Sequence, residues 1–193
     1  MPAVIINVII LILGAVNFAL VVSKRKAAAF AFYTQLSNYA ALAAAILFLL
    51  AFKFQGLNPA AEAMRFLSSV MLGMTFFVVM AVLIPMGAGA KNMLWGSGFF
   101  VHLLVPWLSI ISTLFLENDP SPGLLLFPPV TTLIYGFIMM ILNYQGKVDG
   151  PYPFFWVRRQ SKKATVLWTA ALFGAVLLIS FLMIKGAAAL PVS

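Results

Sequence analysis

The chain of 193 residues has no cysteine, one histidine and only four acidic residues. Without cysteine it has no disulfide, no thiolate ligand for a metal and no thiol nucleophile. A single histidine, with no carboxylate inside the apolar runs, is too few ligands for a metal site or for haem held between two histidines. We therefore expect neither a metal nor a cofactor.

Charge is scarce and unbalanced. Only 8% of the residues are charged and 64% are hydrophobic, whereas about a quarter of the residues of a soluble domain are charged. Twelve basic residues stand against the four acidic ones, a balance that would suggest nucleic acid in a soluble protein. Here the charge lies in loops between apolar runs, so we expect anionic lipid headgroups or an acidic lipid product as partners, and no nucleic acid.

Six apolar runs, each close to the roughly 20 residues that span a bilayer, make up most of the chain. They cover approximately residues 4–22, 30–52, 66–87, 98–116, 124–144 and 164–184. The breaks are short apart from residues 145–163, and the second break is predicted over residues 53–65. The sequence therefore predicts an all-α polytopic membrane bundle of six transmembrane helices, with one domain over residues 1–193.

The loops differ in charge on the two sides of this bundle. Loops one, three and five carry nine basic residues, while loops two and four and the C-terminal tail carry three. Basic loops tend to stay in the cytoplasm, so we expect these odd-numbered loops to be cytoplasmic and both termini to lie outside. The nine residues are Lys24, Arg25, Lys26, Lys91, Lys147, Arg158, Arg159, Lys162 and Lys163.

All four carboxylates fall in predicted loops. Ion-coupled transporters usually carry an ionisable pair near the middle of the membrane, and the predicted spans offer no acid for one. The four are Glu62, Glu117, Asp119 and Asp149.

Two polar patches lie within the predicted spans. His102, in the fourth, is the only side chain there that can act as a base near neutral pH; the alternative is a hydrogen-bonded structural histidine. Thr34, Ser37 and Asn38 share one face of the second helix, where they either join helices or form a nucleophile with supporting donors. Both patches lie on the order of 5–10 Å inside the cytoplasmic boundary, so they can meet in a cavity open to that side.

The fifth loop places aromatic residues beside basic ones. This composition is typical of the membrane interface, and the alternative is a cap over the cavity that contacts lipid or product. The residues concerned are Tyr152, Phe154, Trp156, Arg158 and Arg159.

Three segments make the chain resemble the androgen-induced-gene family of six-span membrane proteins, which includes the androgen-dependent regulators of tissue factor pathway inhibitor and many small bacterial members. They are residues 32–38 (Phe-Tyr-Thr-Gln-Leu-Ser-Asn), His102 with the Leu-Val-Pro that ends at Pro106, and residues 151–154 (Pro-Tyr-Pro-Phe). The resemblance implies a threonine hydrolase that cleaves esters of fatty acids with hydroxy fatty acids, with Thr34 and His102 in the catalytic roles. It also implies a bacterial inner membrane protein.

Such a hydrolase forms an acyl-enzyme on Thr34 after His102 removes the hydroxyl proton. Asn38 is the first candidate for an oxyanion donor and Ser37 the second. The carboxylate that usually orients a catalytic histidine is missing. The candidates for that orienting role are Asn17, Asn143 and Tyr144.

Two other functions fit the same pattern. A membrane acyltransferase would use the same Thr and His, with a lipid hydroxyl in place of water. A lipid or solute carrier would only bind its cargo, and would need polar residues that reach both faces of the membrane. The predicted polar groups lie mainly on the cytoplasmic side, which is mild evidence against a carrier.

Overall fold

The computed structural model describes residues 1–117, 119–149 and 152–190. Six helices are long and apolar enough to cross a membrane, which confirms the predicted all-α bundle, and the described ranges contain no strand. The helices are α1 (Pro2–Ala31), α2 (Tyr33–Ala51), α3 (Gln55–Ala88), α4 (Ser97–Phe115), α5 (Pro122–Tyr144) and α6 (Lys162–Ala189).

Helix α3 lies at the centre of the bundle. It packs against α2, α4, α5 and α6, and its side chains Phe66, Val70 and Leu72 are fully buried. The outer helices instead expose large apolar side chains, such as Ile12 of α1 and Leu178 of α6. This distribution is compatible with a protein whose surrounding solvent is hydrocarbon.

The third helix begins earlier than the sequence predicts. Residues 53–65 were expected to form a loop because they contain three charged residues. Instead, the 3-10 turn Gln55–Leu57 leads directly into the α-helix Asn58–Val78, with a proline in the first turn. Proline is favoured there, since the N–H that it lacks would have no helical acceptor. Arg65 consequently lies inside α3.

The second helix begins at Tyr33 instead of residue 30. The first α-helix, Pro2–Arg25, is followed by the 3-10 helix Lys26–Ala31 and an extended Phe32. Thr34 is therefore the second residue of α2, where backbone N–H groups have no helical acceptor and the positive end of the helix dipole lies.

Helix α4 contains a π-helical segment, Phe100–Leu104, which carries His102. At its end the N–H of Val105 bonds to the carbonyl oxygen of Phe100, five residues earlier. The next bond of this series would join Pro106 to the carbonyl of Val101, and proline has no N–H to donate. The Val101 carbonyl is therefore available to a donor from another helix.

Candidate active site

Asn38 supplies the donor that Pro106 lacks. Its Nδ2 donates to the carbonyl oxygen of Val101 at 3.2 Å and to that of Thr34 at 2.7 Å. One amide group thus joins the turn of α2 that carries Thr34 to the segment of α4 that carries His102. Because both amide hydrogens are used in these bonds, Asn38 acts here as a positioning residue and has no N–H left for an oxyanion.

Ser37, the second candidate for an oxyanion donor, is also engaged. Its hydroxyl donates to the carbonyl oxygen of Thr34 at 2.9 Å and lies 3.0 Å from the hydroxyl oxygen of Thr75. A carbonyl oxygen only accepts, so the single hydroxyl hydrogen of Ser37 is directed to Thr34 and Thr75 is the donor in the second bond. Ser37 therefore ties α2 to the central helix α3.

The side chain of Thr34 lies against Tyr152 of loop five. Thr34 Oγ1 and Tyr152 Oη are 3.2 Å apart, and the backbone N–H of Thr34 donates to the same Oη at 3.2 Å. The phenol oxygen accepts this N–H and keeps its own hydrogen for Thr34 Oγ1 or for a ligand. Burial raises the pKa of Tyr152, so the phenol stays protonated and is a hydrogen-bond donor, not a base.

A narrow cavity of about 70 Å³ opens beside these two residues. Its polar wall consists of a few hydroxyl groups, including those of Thr75 and Thr132, and the remainder of the wall is mainly apolar. Apolar walls with a few convergent polar groups are typical of ligand sites. The apolar wall includes Met74, Val78, Leu133, Met140, Trp168 and Val176.

His102 is half-buried and is not part of this cavity wall. Its Nδ1 lies 2.6 Å from the carbonyl oxygen of Met93, in the short helix Ala90–Leu94 of loop three. Since a carbonyl only accepts, Nδ1 carries the hydrogen and Nε2 keeps its lone pair, which is the tautomer that a general base requires. A backbone carbonyl therefore orients the ring.

The three residues predicted to orient His102 lie elsewhere. Asn17 donates to the side chain of Gln35 at 2.9 Å. Asn143 donates to a backbone carbonyl of loop five at 3.1 Å, and Tyr144 is exposed. Their side chains have no hydrogen bond to His102 among the described residues.

Thr34 and His102 are also not hydrogen-bonded to each other in the described part of the chain. Asn38 joins the turn that carries Thr34 to the segment that carries His102. The hydroxyl of Thr34 lies beside Tyr152, and the imidazole of His102 is bonded to the carbonyl of Met93. Catalytic hydrogen bonds are often formed only when substrate is bound. The Thr34 and His102 pair therefore stays a prediction.

Loop five has a buried part that contributes to the cavity. Tyr152 and Phe154 are buried, and their rings stack with centroids 5.2 Å apart. Both line the cavity beside Thr34, which favours the cap over the purely interfacial interpretation. Gly150 and Pro151, which belong to the same stretch of sequence, lie outside the described residues.

The basic part of loop five is exposed. Arg158 and Arg159 lie 3.7 and 3.5 Å from Asp149, and the guanidinium of Arg159 stands 5.5 Å from the ring centroid of Trp156. Exposed basic and aromatic side chains in contact fit the membrane interface.

A second buried polar cluster lies at the end of the bundle formed by loops two and four, and the sequence analysis did not predict it. Arg65 Nε lies 2.9 Å from Glu117 Oε1, and the two side chains are only 3% and 9% exposed. Asn7 and Ser112 donate to the same carboxylate oxygen at 3.1 and 2.6 Å, and Arg65 also bonds to Asn7. A carboxylate predicted to lie in a loop is therefore paired with an arginine inside α3.

Hydroxyl groups extend this cluster along α3 and α4. Ser69 Oγ lies 2.8 Å from Ser109 Oγ and 2.7 Å from Thr113 Oγ1. The signal in the sequence is helical spacing, since Ser69 follows Arg65 by four residues and Thr113 follows Ser109 by four. Buried polar groups are therefore also numerous toward the end that carries loops two and four, where the sequence analysis predicted far fewer of them.

No protein-family model, no curated protein and no solved structure matches the chain.

Proposed function

We propose that the protein is an intramembrane lipid-ester hydrolase that cleaves esters of fatty acids with hydroxy fatty acids through Thr34 and His102. The main support is the amide of Asn38, which bonds to the carbonyls of Thr34 and Val101 and so holds the nucleophile's turn beside the segment of the base. The substrate class and the two catalytic roles come from the resemblance to the androgen-induced-gene family.

The position of Thr34 favours a negatively charged oxygen. The residue lies at the second position of α2, at the positive end of the helix dipole. In the proposed reaction, Nε2 of His102 removes the hydroxyl proton, directly or through one water, and Oγ1 attacks the ester carbonyl. The bound ester must first displace the Thr34 hydroxyl from Tyr152.

Tyr152 is the group best placed to stabilise the oxyanion. Its protonated Oη lies 3.2 Å from Thr34 Oγ1 and can donate to the oxygen that becomes negative. The intermediate then expels the hydroxy fatty acid, whose alcohol oxygen takes the proton from His102. Water, deprotonated by His102, then attacks the acyl ester on Thr34. The bond from the acyl carbon to Oγ1 breaks, Oγ1 takes the proton back from His102, and the fatty acid is released.

The cytoplasmic orientation of the odd-numbered loops is part of the proposal, and the excess of basic residues there supports it. Arg158 and Arg159, exposed next to the aromatic cap, suit the free carboxylate of substrate or product and the headgroups of anionic lipids. A bacterial inner membrane is the location that the family resemblance suggests.

Replacing His102 by Gln tests the proposed base. The purified protein is given an ester of palmitic acid with hydroxystearic acid, and released palmitic acid is measured by mass spectrometry. We expect the rate to fall at least about 100-fold, because the general base is lost, while the amide can still donate to the Met93 carbonyl. Tyr144→Phe, an exposed change at the same end, should keep the wild-type rate. Equal rates for His102→Gln and wild type would contradict the proposal.

Replacing Tyr152 by Phe tests the oxyanion donor. We expect kcat to fall about 10²- to 10³-fold with little change in KM, since the bond forms mainly in the transition state. Tyr135→Phe is the matched control, because Tyr135 also lines the cavity but donates to the carbonyl of Ala31. A similar kcat for both variants would refute the assigned role, and thermal melting of each shows whether the fold is retained.

A carrier is the second candidate, because buried polar groups continue along the middle of α3, from Arg65 to Thr75. In liposomes a carrier would move labelled fatty acid or ester without covalent labelling of Thr34. The related alternative, an acyltransferase, would pass the acyl group to an added alcohol at a rate that exceeds hydrolysis.

A further inference from the structure

A second cavity opens at the end of the bundle that carries loops two and four, away from Thr34. Its volume is about 440 Å³, against about 70 Å³ for the cavity beside Thr34. It lies between the end of α2, the start of α3 and the residues that follow α4. Three charged side chains, Glu62, Arg65 and Glu117, and the rings of Phe48 and Phe52 form part of its wall.

The charge of this wall is negative. Arg65 is almost fully buried, and its charge is balanced by the ion pair with Glu117. Its nitrogen atoms donate to Glu117, Ser109 and Asn7, so it is already engaged inside the protein. Glu62 makes no salt bridge within the described residues, and the three charged groups together carry one net negative charge.

The hydrogen bonds of Glu117 within the polar cluster involve only one of its two carboxylate oxygens. Oε1 accepts hydrogen bonds from Arg65, Asn7 and Ser112. Oε2 accepts none from the part of the chain that the structure describes. The side chain is 9% exposed and lines the cavity, so a cationic donor in the cavity can bond to this carboxylate.

Glu62 places a second carboxylate on the same cavity. Its Oε1 accepts the backbone N–H of Ser121 at 2.7 Å, which fixes the side chain at the rim. The rings of Phe48 and Phe52 stand edge to face with centroids 5.3 Å apart. Aromatic faces attract cations and also pack against alkyl chains. A ligand with a cationic donor for the carboxylates and an apolar tail for the aromatic rings is complementary to this wall.

We propose that this cavity binds a primary ammonium group that carries an alkyl chain. The ammonium N–H groups donate to the carboxylates of Glu117 and Glu62, and the alkyl chain packs against Phe48 and Phe52. The ligand is either a soluble alkylamine or the headgroup of an aminolipid such as phosphatidylethanolamine. This site is independent of the hydrolase proposal and of Thr34.

The test measures binding of hexylammonium and of its neutral isostere hexanol to the full-length protein in maltoside detergent by isothermal titration calorimetry. We expect hexylammonium to bind at least about tenfold more tightly than hexanol, because only the cation is attracted by the carboxylates. Glu62→Gln should weaken hexylammonium binding about tenfold, since it removes the charge and keeps an oxygen for the Ser121 N–H. Asp149→Asn removes an exposed carboxylate at the other end and should leave binding unchanged.

Competition separates the two sources of the ammonium group. Dihexanoyl phosphatidylethanolamine should displace hexylammonium if an aminolipid is the ligand, and dihexanoyl phosphatidylglycerol should not. If neither lipid competes, a soluble amine is the ligand and the ammonium site stands. Equal affinity for hexylammonium and hexanol, or equal affinity of Glu62→Gln and Asp149→Asn for hexylammonium, would overturn the proposal.

Discussion

Thr34→Val abolishes both ester hydrolysis and covalent labelling by an alkyl fluorophosphonate, whereas Thr34→Ser retains both. We expect a loss of at least roughly 10⁴-fold in kcat for the Val variant, as for the removal of other acyl-forming hydroxyls. Val keeps the shape of the side chain, and the bond from the backbone N–H of residue 34 to Tyr152 does not depend on the hydroxyl. The loss should therefore reflect chemistry and not misfolding.

The adduct is located by digestion and mass spectrometry of the labelled protein. Thr75→Val is the matched control, because Thr75 is another buried hydroxyl of the same cavity but bonds to Ser37 and not to Tyr152. It should retain labelling at Thr34. A label found on another residue, or full turnover by Thr34→Val, would exclude Thr34 as the nucleophile.

Arg65→Met lowers the free energy of unfolding by about 3–5 kcal/mol, because it leaves the buried carboxylate of Glu117 without its counter-charge. Arg65→Met combined with Glu117→Leu should recover most of this loss, since replacing both members of a buried ion pair by apolar groups is often close to neutral. Asn7 keeps its bond to the carbonyl of Ala3 in both variants. The recovery in the double variant separates charge burial from lost packing.

Unfolding in mixed micelles with increasing dodecyl sulfate, followed by circular dichroism, measures these differences. Arg158→Met is the control, because Arg158 pairs with Asp149 at 3.7 Å while both side chains are exposed. Such a surface pair contributes about 0–1 kcal/mol. A double variant as unstable as Arg65→Met alone would show that the ion pair is not the source of the loss.

The number of helices could be predicted because a run of about 20 apolar residues is a local property of the sequence. The start of α3 could not. A hydropathy pattern assigns Arg65 to a loop, since a lone arginine in hydrocarbon is costly. The carboxylate that offsets this cost, Glu117, is 52 residues away in the chain, and only the packing of α3 against α4 brings the two together.

The candidate site was predictable in part for a similar reason. The residue types of Thr34, Asn38 and His102 and their spacing marked them as polar groups within spans. Their hydrogen-bond partners could not be predicted. The ring of His102 bonds to a backbone carbonyl, and because every residue has a backbone carbonyl, the sequence does not indicate which one is used. The bond from Asn38 to Val101 depends on the π-helical register of α4, which a hydropathy pattern does not predict.

The length of α2 has a consequence for the depth of the proposed chemistry. Its 19 residues extend over about 28 Å, close to the roughly 30 Å of a bilayer's hydrocarbon core. A bilayer whose two boundaries coincide with the ends of α2 would place Thr34, second in the helix, nearer to the surface than the 5–10 Å that the sequence suggests. The thickness of the bilayer relative to the length of α2 then determines whether Thr34 is hydrated. A thin bilayer leaves Thr34 within reach of water, and a thick one covers it with acyl chains.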